Sequence, residues 1–555
     1  LFIVPIAAVA LVLSACSGGG ADNGGQNVQV REEGKNDINP LSADKVKDGG
    51  TFDVALSGVI EQYNFLHVQG VAVDLDDVLK AVMPRVMNPQ ADGTTVDDEN
   101  YVTSKLASTD PQVIEFTINP KAHWSDGTAI TWKDFEANWN AQNGKNTAFE
   151  AASTAGWEDI TSVEKGADDR QVKLTFGKKF AEWRGLTDYL YPASQIDTPE
   201  KFNKGMVGKL PVTGGPFKIK TIDDTAKTVT LERDDTWWGD KPKLESIVYH
   251  VISADASGQA FQSGTLDAVN IGPSVATFQT VSTLPDSIVR KALARNWRVV
   301  NFGARKGSPL EDPKVRTAVF RGLDRTTIAK AAVGTIVPDV RPLGNHIFVE
   351  GQKGYVDNGA EYAYNKEQAA KELDAAGWKL DSATNVRAKD GKSFELQWII
   401  PAGVKTSADE AQLAQKQLGE IGVKINIQTV DLDAWQNDYL TVGNFDLLNM
   451  SWFGTAFPVS SSTSIYTYFP DKSQQNYGRV PDTEGINDLF AKAAVELDDA
   501  KRTELGNQID KAIWKEGFSM PLYQRPDAIG VKKNVANYGA FGFAKPDWTK
   551  VGFTS

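Results

Sequence analysis

The chain has 555 residues, with 59 Lys and Arg against 72 Asp and Glu, and a formal net charge of −13. Hydrophobic residues make up 41%, about 47% once Gly is counted and Tyr is not, a folded-protein composition that excludes intrinsic disorder for the bulk of the chain. An acidic chain without a long basic run is a poor nucleic-acid binder, and a single cysteine excludes an intramolecular disulfide and a cysteine-rich metal site.

Residues 1–15 read LFIVPIAAVALVLSA, the length of a signal h-region and short of the ~20 residues a spanning helix needs. No Met or basic segment precedes them, so the chain is expected to begin inside such a signal. The stretch ends in Leu13-Ser14-Ala15-Cys16, which resembles the bacterial lipobox. The alternative is an ordinary secretory signal that contains a cysteine. The resemblance implies a signal peptide and lipobox over 1–16, a lipid on Cys16, and a lipid-anchored location on the extracellular or periplasmic side of the cell membrane. Residues 17–47 are rich in Gly, Asn, Asp and charge and read as a flexible tether.

Beyond residue 47, alternating segments predict strands at 114–118, 171–176, 217–220, 229–232 and 247–251, joined by polar turns such as Asp223-Asp224. From 365 onward the period switches. Asn365 with Gln368 forms a capping-box pattern, Ala369, Leu373 and Ala376 keep one helical face, and Gly377 ends it. A strand at 394–400, a helix through Leu413 and Ile421, a strand at 423–430, a helix around 435–440 and a strand at 445–452 follow. That β-α-β-α-β order predicts an α/β fold with crossover helices.

Several short motifs punctuate these elements. Trp124-Ser125-Asp126-Gly127-Thr128 precedes Thr131-Trp132-Lys133-Asp134-Phe135; Thr213-Gly214-Gly215-Pro216-Phe217 is a chain reversal; Trp237-Trp238-Gly239-Asp240-Lys241-Pro242 follows Leu231-Glu232-Arg233-Asp234. Ser263-Gly264-Thr265-Leu266-Asp267, Asp312-Pro313-Lys314-Val315-Arg316 with Asp324-Arg325, and Tyr364-Asn365 with Ala376-Gly377-Trp378 come next. In this order they resemble the family 5 extracellular solute-binding proteins, the dipeptide, oligopeptide and nickel group that serves ABC importers. The Trp124 turn, the Gly214-Gly215 reversal and the arginines Arg316 and Arg325 read as structural rather than ligand-binding.

The resemblance implies a two-lobed periplasmic-binding-protein clamp, type II in its large cluster C form. Lobe 1 would comprise 48–90, 206–301 and 519–555, with an inserted subdomain at 91–205, and lobe 2 would be 302–518. Crossings are expected near Val299–Phe302 and Ser519–Tyr523. It implies capture of peptides, oligopeptides in length, by lobe closure, delivery to ABC permease subunits with their cytoplasmic ATPases, a monomer, no cofactor, no metal and no catalysis. Ligand contacts are expected from the segment after a lobe 2 strand, Trp452, Phe453, Gly454 and Thr455, and from Trp435, Tyr523, Glu61, Tyr63, Asn301 and Phe302. If Trp452 is pocket wall, Trp452→Ala should lower affinity without lowering the unfolding midpoint.

One departure matters. The family's G-W-x-A-D-Y segment pairs an Asp with a peptide's α-ammonium, and Thr455 or Ala456 stands there in this chain. A buried ammonium needs an anion or several acceptors. The alternatives are therefore an oligosaccharide, haem or metal-chelate ligand on the same scaffold, a sensor, or an extracytoplasmic hydrolase. For the last, no G-x-S-x-G, H-E-x-x-H or P-loop pattern is present. His67, His123, His250 and His346 are dispersed and default to core or surface roles.

Overall fold

Three sheets organise the protein in the computed structural model, which describes residues 34–470 and 474–554. The lipobox, Cys16 and the first half of the expected tether lie outside the described residues. The rest of that tether is a correction. Asp37 exchanges two 2.9 Å backbone hydrogen bonds with Ala540, its carboxylate pairs with Arg290 at 2.6 Å, and Val46 is buried. Polar composition concealed an edge pairing that needs backbone groups, not apolar side chains.

The first sheet joins Thr51–Leu56 in parallel to Ser246–Val251, followed by Thr228–Arg233 and Phe217–Asp223 in antiparallel order. The second is antiparallel, in the order Val102–Thr109, Gln112–Ile118, Gln171–Phe176, Ile160–Lys165. One hydrophobic cluster, including Phe52, Ile114, Trp124 and Tyr191, packs between them. The Trp124 turn is structural, as its residues suggest. Trp124 is buried, Asp126 accepts from the Thr128 N–H at 2.9 Å, and Gly127 takes φ +84°.

The third sheet positions the site. Its strands are β1 (Ala268–Asn270), β2 (Ser287–Phe302), β3 (Glu395–Pro401), β4 (Lys424–Val430), β5 (Leu447–Phe453) and β6 (Ser519–Lys532), in the order β1-β6-β2-β5-β3-β4. β3, β4 and β5 are mutually parallel, whereas β2 and β6 run antiparallel to their neighbours. The helix α1 (Lys405–Gly419) connects β3 to β4. It buries Ser407, Glu410, Ala411, Ala414 and Leu418, one stripe at helical spacing, and the chain leaves it through Gly422 at φ +80°. The Asn365 cap forms as its spacing predicts, accepting from the Gln368 N–H at 2.9 Å.

β2 and β6 are the longest strands, with 16 and 14 residues, and they lie side by side. Val299, Val300 and Asn301 face Pro521, Met520 and Ser519 in register. The pairing is broken between Leu293 and Trp297, where β2 bulges. No helix among the described residues is long and apolar enough to cross a membrane.

Candidate functional site

The C-terminal ends of β3, β4 and β5 emerge on one edge of the third sheet, the edge where open α/β sheets bind ligands. After β4, Asp431 caps the next turn by accepting from the Ala434 N–H at 2.9 Å, and Trp435 opens a wide helical turn. After β5, the loop Gly454–Phe457 leads into α2 (Pro458–Tyr466), with Pro at the first helical position. The loop is pinned. The Gly454 N–H donates to the Arg295 carbonyl at 2.6 Å, and a Cβ at 454 would sit 2.9 Å from that oxygen. The Thr455 carbonyl accepts from Gln352 Nε2 at 3.1 Å.

Trp452 lies parallel to Tyr477 with ring centroids 6.0 Å apart. Trp435, Tyr477 and Met450 each pack against the small buried cluster of Ile399, Leu440, Phe445 and Leu448. Trp435 is half-buried, whereas Trp452 is 8% exposed and packs against Trp297, Val459 and Leu343. Both indole Nε1 atoms are buried without a partner. Phe453 is 56% exposed. Directly opposed residues on antiparallel strands share a face, so Phe453 lies with Asn296, and Ser451 with Arg298.

Tyr523 and Phe302 sit deeper. Tyr523 is fully buried and donates its hydroxyl to Glu410 Oε1 at 2.8 Å. Glu410 also binds Arg298 through two nitrogens, at 3.0 and 2.5 Å, and accepts from Asn449 Nδ2 at 2.7 Å. Burial works against the Arg298 charge, yet Glu410 holds its pKa above the ordinary value. Phe302 packs edge-on against Phe320 at 4.8 Å in the core. Asn301 is buried, with Nδ2 unpartnered. Glu61 and Tyr63 lie on the loop after the first strand. Their backbone bonds run to Gly208, Met206 and Tyr191 rather than to the Trp452 loop. Tyr63 is fully buried with its hydroxyl unpartnered, and burial pushes its pKa up; Glu61 is exposed.

Sequence reasoning missed three features. Arg525, on β6, approaches Ser451 Oγ at 3.5 Å with its Nε buried and unpartnered. Tyr477 stacks on Trp452. Glu182, from the segment between the second sheet and residue 199, accepts the Val459 and Ser460 N–H groups at 3.2 and 2.7 Å and so caps α2. Burial raises the Glu182 pKa despite those bonds. Alongside it, the Phe457 ring lies against Gly185, and the Ala181 N–H donates to the Ala494 carbonyl at 2.8 Å. Only Trp435, Trp452 and their loops carried a signal, since they lie at or just beyond strand ends.

Metal chemistry finds no support in the donor set. Among the described residues no three His, Cys, Asp or Glu side chains form a metal-binding group. Each histidine has its own partner, such as His346 between Asp510 and the Ser519 carbonyl at 2.7 and 2.9 Å.

The family model for bacterial extracellular solute-binding proteins, family 5, matches residues 99–475. The chain belongs to that family. It is 39% identical to the oligopeptide-binding proteins OppA of Mycobacterium tuberculosis and Mycobacterium bovis over 98% of its length and 92% of theirs. Among solved structures it is similar to a periplasmic EDTA-binding protein, EppA, with TM-score 0.84 and 24% identity over 94% of this chain and 98% of that one. It is also similar to the oligopeptide-binding protein AppA of Bacillus subtilis in complex with a nonapeptide, with TM-score 0.73 and 21% identity over 92% and 100%. At these identities the structural likeness bears on fold alone. This family member is an α/β protein with the two-lobed clamp architecture.

Proposed function

We propose that this family 5 solute-binding protein captures peptides outside the membrane and delivers them to the permease of an ABC importer. The observation that carries this reading is the 39% identity to the mycobacterial oligopeptide-binding proteins over nearly the whole chain. Lobe 1 comprises 48–90, 206–301 and 519–555 with 91–205 inserted, and lobe 2 comprises 302–518. The paired strands β2 and β6 support this partition, because both crossings fall where Val299–Asn301 faces Ser519–Pro521. Two extended segments in one register bend together as a hinge. Ligand in the cleft contacts both lobes and stabilises the closed form by its differential affinity for that form.

Trp435, Trp452, Phe453, Gly454 and Thr455 line the ligand on the lobe 2 side, and Glu182 bridges to α2 on closure. Tyr523 shapes the site from behind by holding Glu410; Asn301 and Phe302 mark the first crossing, and Glu61 and Tyr63 the lobe 1 loop. Cys16 carries the lipid that tethers the clamp, and chemistry on the ligand is not required.

The test is mass spectrometry of the small molecules that leave the purified, freshly denatured protein. Short peptides are the expected result. A released oligosaccharide, haem or metal chelate keeps the clamp and overturns the peptide. Loss of membrane partitioning and of lipid labelling in Cys16→Ala checks the anchor.

A further inference from the structure

Several buried arginines of the fold have their donors well supplied with acceptors. Arg316, with no exposed surface, donates to the Glu516 side chain and to the carbonyls of Leu310, Glu311, Glu516 and Gly517. Arg387 donates to Asp374 and to two carbonyls, and Arg298 to Glu410 and Ser407. Arg290 and Arg305 each leave a buried Nε without a partner but are ion-paired, to Asp37 and Asp446; Arg525 differs from both. Its one hydrogen bond is the 3.5 Å approach to Ser451, its Nε is buried without an acceptor, and it forms no ion pair among the described residues.

Its setting explains why no acceptor arrives. Arg525 lies opposite the bulge that β2 makes between Leu293 and Trp297, where Asn296 Oδ1 is also buried and unpartnered. Bulges re-aim side chains and cluster beside binding sites. Two carboxylates on this face are committed elsewhere, Glu410 to Arg298, Tyr523 and Asn449, and Asp527, two residues on along β6, to the N–H groups of Phe541 and Gly542. Neither is ion-paired with Arg525. Burial, and then the charge of Arg298, lower the Arg525 pKa, as expected for a cation short of counter-ions.

The loop beside it supplies no acid either, since Gly454, Thr455, Ala456 and Phe457 are all uncharged. The Trp452 loop thus lacks an anion for a ligand's amine, and the strand beside it holds a cation free for a ligand's acid. A half-buried guanidinium with vacant donors fits a carboxylate in two-point geometry. We infer that Arg525, with the Ser451 hydroxyl beside it, is the anchor for a carboxylate of the bound ligand. This rests on the capture reading and deepens it: recognition is led by the ligand's acid and not by its α-amine. The carboxylate is a peptide's C-terminus or an acidic side chain.

The experiment titrates the intact protein and its Arg525→Gln and Arg525→Lys variants by calorimetry. The probes are a mixed peptide digest, the same digest with every carboxylate amidated, synthetic peptides amidated only at the C-terminus, and citrate. Amidation of the digest and Arg525→Gln should each weaken binding at least tenfold, and the two losses should not add. Arg525→Lys should recover part of the affinity, which a folding defect would not. Loss with C-terminal amides assigns the terminal carboxylate, and retention with them assigns an acidic side chain. Equal binding of native and fully amidated digests by the unaltered protein overturns the anchor and leaves peptide capture standing. Binding of citrate but of no peptide, abolished by Arg525→Gln, keeps the anchor and overturns peptide capture. Failure of every probe overturns both.

Discussion

Two patches on one face of the third sheet, two residues apart along β6, treat arginine in opposite ways. At Arg298 and Tyr523, α1 covers the strands and Glu410 gathers four donors, from Arg298, Tyr523 and Asn449. At Arg525, β2 bulges and the guanidinium keeps free donors. The backbone and the residue type are alike; the cover differs. A buried charge inside the fold is paired by the fold, whereas a charge on the ligand edge is left for something that is not part of the chain.

The largest effect belongs to the covered patch. Glu410→Ala removes the acceptor of Arg298 and Tyr523 and leaves a buried cation, which costs about 3–5 kcal/mol. Urea unfolding should show a lower midpoint at unchanged slope. A midpoint that barely moves would mean that water reaches Arg298, and the contrast between the patches would dissolve.

Next comes Trp452→Ala. Packed against Trp297 and Val459 at 8% exposure, it now belongs to both core and edge. Truncation should lower the ligand-free unfolding free energy by about 3–5 kcal/mol, and the midpoint with it, against the sequence-based expectation of no change. Trp435→Ala, at a half-buried ring, should instead weaken ligand binding with less than half that stability loss.

Arg525 cannot be titrated within a usable pH range, but Lys545 offers the same physics in a readable group. Burial, and then Arg85, push its pKa down to about 8, against Asp98 3.8 Å away. An unfolded lysine titrates near ~10.4. Between those values the unfolded chain binds more protons, so the Lys545 contribution to stability rises with pH across that window. Below pH 8 both states are charged and a constant cost remains, up to about 3 kcal/mol. Lys545→Met should therefore melt above the unaltered protein at pH 7, and the gap should close by pH 10. A gap independent of pH would mean the lysine is well paired.

The strands and caps of the third sheet were legible because their signals are local. Ile425 and Ile427 alternate with Lys424 and Asn426, and Asn365 reaches only to Gln368. Trp435 and Trp452 could be placed at this edge of the sheet because they lie at or just beyond strand ends. Arg525 carried no such mark, since its vacancy comes from a bulge in β2 more than two hundred residues away. Glu182 and Ser460 are likewise joined only by the tertiary fold, 278 residues apart. The arginines that the family motifs do mark, Arg316 and Arg325, read as structural from the sequence, and both donate to backbone carbonyls.

The smallest expected effect is the most discriminating. Arg525→Gln keeps a donor for Ser451 and removes an unpaired, partly buried charge, so the ligand-free unfolding free energy should fall by less than about 0.5 kcal/mol, or rise. Glu410→Ala and Arg525→Gln then bracket one sheet face, with a large stability loss at one patch and none at the other. A loss of ~2 kcal/mol or more at Arg525 would mean that the fold itself uses this guanidinium, for only a lost partner produces a cost of that size. A neutral midpoint means the fold does not need the charge, and the desolvation it suffers on this edge is then offset only when ligand is bound.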